Sequence, residues 1–209
     1  MRSAAIIVAT GVLLSYPLTL VGEDLFVLAA FDRSPDTAAV EHMRQETARI
    51  FADTGATPAW RTRTQPGIMP PGAVRVTLQL HGSCRVEPNM LSLAEDGPMG
   101  WVESHGGEML SLIDVDCDRI SAMVWQNRGT LPLPLVVRAF GRALGRVLAH
   151  ELYHYVTQSP AHGASDLFRP VMTSRDLMFP DVRFEPAEIE VLRKALSARG
   201  EPLTCRAIS

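Results

Sequence analysis

The sequence predicts an α+β protein with a mixed, twisted sheet, one long helix and a small C-terminal helical lobe. Three patterns predict it. Short apolar or alternating runs, bounded by Gly, Pro and Asp, read as strands. The first two of these runs flank an amphipathic helical segment, the connection that joins parallel strands. Residues 131–158 keep helical spacing throughout and form the longest such pattern in the chain.

Composition sets the frame. The chain has 209 residues, 46% of them hydrophobic and 21% charged, which suits one ordinary core. A net charge of -3 without a basic stripe excludes nucleic acid as the expected partner. The most clustered arginines, Arg138, Arg142 and Arg146, recur every four residues and read as a solvated helix flank.

The N-terminus has the layout of a leader. Arg2 precedes an apolar stretch from Ala4 to Leu14, and weaker apolar character continues to Val21. The expected division is a signal peptide over 1–22 and a single domain over 23–209. A retained anchor over residues 4–21 is the rival, since that length just spans a bilayer. Either way the protein is expected outside the cytoplasm, secreted or periplasmic, touching a membrane only if the segment is uncleaved. Export leaves room for one disulfide among Cys84, Cys117 and Cys205. Cys84 with Cys117 is favoured because each adjoins a strand-like run; the other two pairings stay open.

The elements follow in order. Leu25 to Phe31 is an unbroken apolar run, as in a buried strand. Asp36 caps a helix whose inner face is Val40, Met43, Thr47, Ile50 and Phe51, and Gly55 stops it. ATPAWRTR is a second strand, expected parallel to the first. TQPGIMPPG is a loop. AVRVTLQLHG alternates, with Val74, Val76, Leu78 and Leu80 on one face. Residues 84–98 read as loop, and MGWVESHGGEMLSLIDVDC as a hairpin turning at Gly106 and Gly107. A short helix follows over 118–127.

In the long helix Pro134 suits the first turn. Phe140, Leu144, Val147, Leu148, Leu152 and Tyr155 form its apolar stripe. Gly141, Gly145 and Ala149 recur every four residues, which favours close approach of a neighbouring element. Ser159-Pro160 should end the helix, and an irregular stretch follows to about Asp181. Pro186 opens a last helix with Ile189, Leu192 and Leu196 inward.

The chemistry concentrates in VLAHELYHYVTQSPAHG, residues 147–163, which hold three of the six histidines. His150 and His154 are four apart, so a helix stacks their rings on one side, within reach of one ion. Glu151 is rotated about 100° from His150 around the axis. It is badly placed to ligate and well placed to take a proton from water. His-Glu-x-x-His thus encodes two zinc ligands and a general base. A catalytic zinc wants a third protein ligand. His162 is the candidate, past the helix break; Asp166 is the alternative, and Glu185, Glu188 and Glu190 are more distant ones. Asp114, Asp116 and Asp118 have the opening spacing of a calcium loop, but Arg119 replaces its glycine and Trp125 its last acid. One of them capping the next helix is the better reading. His42, His81 and His105 read as surface or hydrogen-bonded residues.

AHELYHYVTQSPAH with Val171-Met172 beyond it resembles the metzincin branch of zinc metallopeptidases, which carries H-E-x-x-H-x-x-G-x-x-H and a later methionine turn. The A-H-E-L-Y-H segment also looks like that of small exported bacterial proteins. The first five residues match the motif in full. Thr157 stands in place of the glycine, Pro160 in place of the third histidine, and His162 comes two residues late. Met172 looks like the methionine under the metal, with Met178 as a weaker alternative. No tyrosine follows Tyr155, so the tyrosine that assists some metzincins is absent.

The resemblance implies a zincin-like, metzincin-like fold and a Zn2+-dependent endopeptidase acting on a peptide or protein substrate. Zinc would be held by His150, His154 and His162, with Glu151 as base and Met172 structural. The substrate would lie along an edge strand, for which the hairpin from Gly100 to Val115 is the candidate. Two rival readings stand beside it: a zinc-stabilised binding or assembly protein without catalysis, and a zinc hydrolase of a non-peptide amide.

Overall fold

The computed structural model describes residues 25–62, 73–87, 97–163, 165–178 and 181–200. The leader, the loop at 64–72 and Cys205 lie outside the described residues. Among the described residues, no helix is long and apolar enough to cross a membrane.

Among the described residues, five strands form one sheet: β1 (Leu25–Phe31), β2 (Pro58–Thr62), β3 (Val74–His81), β4 (Gly100–His105) and β5 (Glu108–Asp116). Their order is β2-β1-β3-β5-β4. The first four in that order run parallel, and β4 closes one edge antiparallel to β5. The register aligns Leu25, Val27 and Ala29 with Val74, Val76 and Leu78, and then with Ile113. All are buried on one face, so the alternation read in β3 extends across the sheet.

Helix α1 (Thr37–Phe51) begins where the Asp36 side chain accepts from the Ala38 and Ala39 N–H groups. After a turn of 3-10 helix, Gly55 adopts φ 83°, a left-handed conformation that suits glycine. Gly106 and Gly107, both at positive φ, turn the β4–β5 hairpin. Helix α2 (Cys117–Gln126) starts one residue earlier than expected, capped by Asp116, which accepts from Arg119 N. Asp118 instead accepts from the Ser83 N–H and hydroxyl, and Asp114 from His81. The three alternating aspartates are thus occupied structurally. The favoured Cys84–Cys117 disulfide is present, with Cα atoms 4.8 Å apart; closing a loop of that size stabilises by roughly 3–4 kcal/mol in chain-entropy terms.

Helix α3 (Leu133–Thr157) is the spine. From Ala143 to Val156 every residue is buried. Gly141 and Gly145 are the contact points with α1. A Cβ on Gly141 would lie 2.4 Å from Ala39 O, and one on Gly145 would lie 2.7 Å from Met43 O. The helices therefore meet backbone to backbone, as the glycine spacing suggests.

That close packing corrects the reading of the arginines. Arg138 is exposed and Arg142 half-buried, but Arg146 is fully buried. Its Nε donates to Glu46 Oε1 on α1 at 2.7 Å, and its Nη1 donates to the Asp176 carbonyl at 2.6 Å. Glu46 also accepts two bonds of 2.9 Å from Arg49. From Ala143 onward the helix is buried on all sides and has no solvated flank, so a charge there must be paired. The irregular stretch before Asp181 also contains a short helix, α4 (Ser174–Met178), which the sequence did not signal. Its first turn is closed by Asp176 accepting from Thr173 N and Oγ1. The last helix, α5 (Pro186–Gly200), buries Leu192 and half-buries Ile189 and Leu196.

Burial pushes the Glu46 carboxyl up, but the hydrogen bonds from Arg49 and Arg146 and their charges outweigh it, holding Glu46 below its ordinary value. Arg146 moves the other way: burial lowers it more than Glu46 raises it. The short bond between them and the persistence of arginine's charge mark this as an ion pair. Glu46 then stabilises the fold above its unfolded-state pKa, and that stability is lost as pH falls through its depressed folded value. Melting temperature should drop from about pH 4.5 downward, 4.5 being the group's ordinary value. Glu46→Gln should melt lower near neutral pH yet vary less with pH across that acid range. Parallel pH profiles for the two proteins would contradict this.

Candidate metal centre

His150, Glu151 and His154 lie in the last two turns of α3, all buried. The helix ends at Thr157, and Gln158 takes φ 53° to turn the chain back. Ser159-Pro160 stands just after that turn and His162 follows, exposed. One ligand-type nitrogen from each of His150, His154 and His162 lies within 4.8 Å of the others. Ring centroids are 4.6 Å apart for His150–His154, 5.2 Å for His150–His162 and 4.7 Å for His154–His162.

Two backbone carbonyls orient the buried rings. His150 Nδ1 is 2.7 Å from Leu167 O, and His154 Nδ1 is 2.7 Å from Ser159 O. A carbonyl only accepts, so each Nδ1 carries the hydrogen and each Nε2 keeps its lone pair. Those two Nε2 atoms are 3.0 Å apart. Two lone pairs at that distance repel unless a positive charge sits between them. Burial holds His150 down at about 4, against a smaller upward pull from the Leu167 carbonyl. Burial also lowers His154. Protonating a ring is therefore a poor source of that charge near neutral pH. A soft-to-borderline divalent cation fits: neutral imidazoles with Nδ1–H bonded to backbone oxygen are the donor set zinc takes.

Glu151 adds to the fit. Burial pushes its carboxyl up to about 8. A cation beside it is the kind of neighbour that would restore its ionised form.

The segment after the helix wraps the cluster. Phe168 packs against all three imidazoles, with centroids 5.7 Å from His150, 5.3 Å from His154 and 5.9 Å from His162. Gly163 N donates to Phe168 O and Phe168 N to Ser165 O, closing the turn that carries it. Sequence reasoning missed Phe168; its position in an aperiodic stretch gave no signal. It also missed Gln158, whose side chain accepts from Met109 N and donates to Met109 O, fastening the helix end to β5. Met172 is buried and lines the same cavity as His150 and Glu151. Met178 is buried in α4. Asp166 is exposed and bonded to Arg169, and it is not part of the three-residue group. Glu188 accepts from Ser165 Oγ, and Glu185 and Glu190 are exposed.

Two cavities flank the cluster. One, of about 330 Å³, is lined by Met99, Val147, Val171 and Met172 with Arg169 at its side. The other, of about 290 Å³, is lined by Trp101, Val102, Met109 and Pro160 together with His154 and His162. Pro98, Gly100, His150, Glu151 and Pro170 line both. The edge strand β4 runs along this junction.

The described residues thus form a mixed α+β fold, a five-stranded sheet over a long helix that bears a three-histidine cluster. Among solved structures, the chain is similar to the archaemetzincin of Methanopyrus kandleri, with a TM-score of 0.52 and 12% identity over 87% of this chain and 99% of that one. No protein-family model and no curated protein matches the sequence. At that identity the likeness shows the fold.

Proposed function

We propose that the protein is an exported zinc-dependent endopeptidase, with His150, His154 and His162 as metal ligands, Glu151 as general base and Met172 as the methionine beneath the site. The observation that carries this reading is the 3.0 Å approach of two lone-pair-bearing Nε2 atoms with a third imidazole converging on them. A bound zinc ion supplies a Lewis acid and an acidified water.

The chain's own residues do the rest. The outer edge of β4 pairs an extended peptide, and the flanking cavities take the side chains on either side of the scissile bond. Glu151 accepts the proton of the attacking water as the new C–O bond forms. It then delivers that proton to the amine nitrogen as the C–N bond breaks. Secretion or a periplasmic site is supported by the leader pattern and by a disulfide that an oxidising compartment sustains.

Peptide cleavage by purified protein should be abolished by a chelator and restored by zinc addition. Cleavage that persists through exhaustive metal removal would refute the zinc-dependent reading.

A further inference from the structure

Gly100 opens the edge strand β4 and sits where the two cavities meet. Its backbone is extended, so conformational freedom is not what glycine supplies there. Space is. A Cβ at this position would lie 2.6 Å from Val147 Cγ1, 3.1 Å from Glu151 Cγ and 3.2 Å from Glu151 Oε1. The first contact is impossible without movement, and the other two are tighter than ordinary packing.

The side chain of Glu151 thus rests against bare backbone of the strand expected to bind substrate. We propose that Gly100 is a positioning residue for Glu151, setting the carboxylate's place relative to a peptide paired with β4. This rests on the endopeptidase reading. The strand that would fix the register of the substrate and the residue that would move the proton share one contact, with no side chain between them. A methyl group at residue 100 displaces the carboxylate from that register. Misplacement by about 1 Å can cost on the order of 100-fold in rate, so a shift of a few tenths of an ångström should cost about tenfold.

The Val147 contact must be separated from the Glu151 contact. Gly100→Ala alone should lower the melting temperature through the Val147 clash. Adding Val147→Ala should restore it, leaving only the contact with Glu151. The comparison is therefore Val147→Ala against Gly100→Ala/Val147→Ala, assayed on an internally quenched peptide library with zinc content and crystal structures alongside. The expected result is equal zinc content and similar melting, with kcat about tenfold lower in the double variant and KM within twofold. The Glu151 carboxylate should be visibly shifted in its crystal structure.

Equal kcat with an unmoved carboxylate overturns the proposal, as does a double variant that fails to fold when Val147→Ala folds. If wild type cleaves no peptide, the endopeptidase reading fails by itself, and the Glu151 position in the paired crystal structures decides the role of Gly100 alone.

Discussion

Replacing Glu151 by Gln is expected to lower kcat on the order of 100- to 10,000-fold, the range for loss of a positioned general base. Zinc content should stay at the wild-type level. Gln keeps the shape that packs against Gly100 but cannot take a proton. The same substitution has a second readout in metal-free protein. The folded Glu151 carboxyl is held at about 8, above its ordinary value, because burial penalises the charged form. A raised acid costs stability as pH climbs from the unfolded-state pKa toward the folded one. Metal-free wild type should therefore lose stability between about pH 4.5 and pH 8, and Glu151→Gln should lose less. Unchanged cleavage in the variant would contradict Glu151 as the general base.

The largest stability effect is expected at Arg146→Ala. The guanidinium joins α1, through Glu46, to α3 and to the Asp176 carbonyl of α4. Removing one member of a buried pair leaves the other charge short of compensation and typically costs about 3–5 kcal/mol. For a chain of this size that corresponds to a fall of about 10 °C in melting temperature. Arg49 still bonds Glu46, which moderates the loss toward the lower end of the range. A drop below about 2 °C would mean the pair contributes little. Arg138→Ala, at an exposed position of the same row, is the control and should sit near wild type.

What the sequence disclosed followed periodicity and caps. The alternation in β3, the apolar run of β1, Asp36 before α1 and the glycine pair of the hairpin each act within a few residues, so local pattern finds them. The His150–Glu151–His154 constellation is equally local, being one turn of one helix. His162 required only that the helix end and the chain double back, and Ser159-Pro160 signalled that. The failures have a common cause. Arg146 shares its spacing with Arg138 and Arg142, and only the depth of burial at the far end of α3 separates them. That depth is set by the α1 contact, some hundred residues away in sequence. Phe168, Gln158 and Gly100 act across chain segments with no period of their own. Helix α4 is a single short turn held by Thr173 and Asp176, with no repeat long enough to read.

The most direct test is a crystal structure of the zinc-loaded protein with anomalous scattering recorded at the zinc absorption edge. A single peak is expected about 2.0–2.1 Å from the Nε2 atoms of His150 and His154 and from one ring nitrogen of His162, the ordinary zinc–imidazole length. No peak at this cluster, or a peak ligated by His150 and His154 with His162 turned away, would contradict the three-histidine centre.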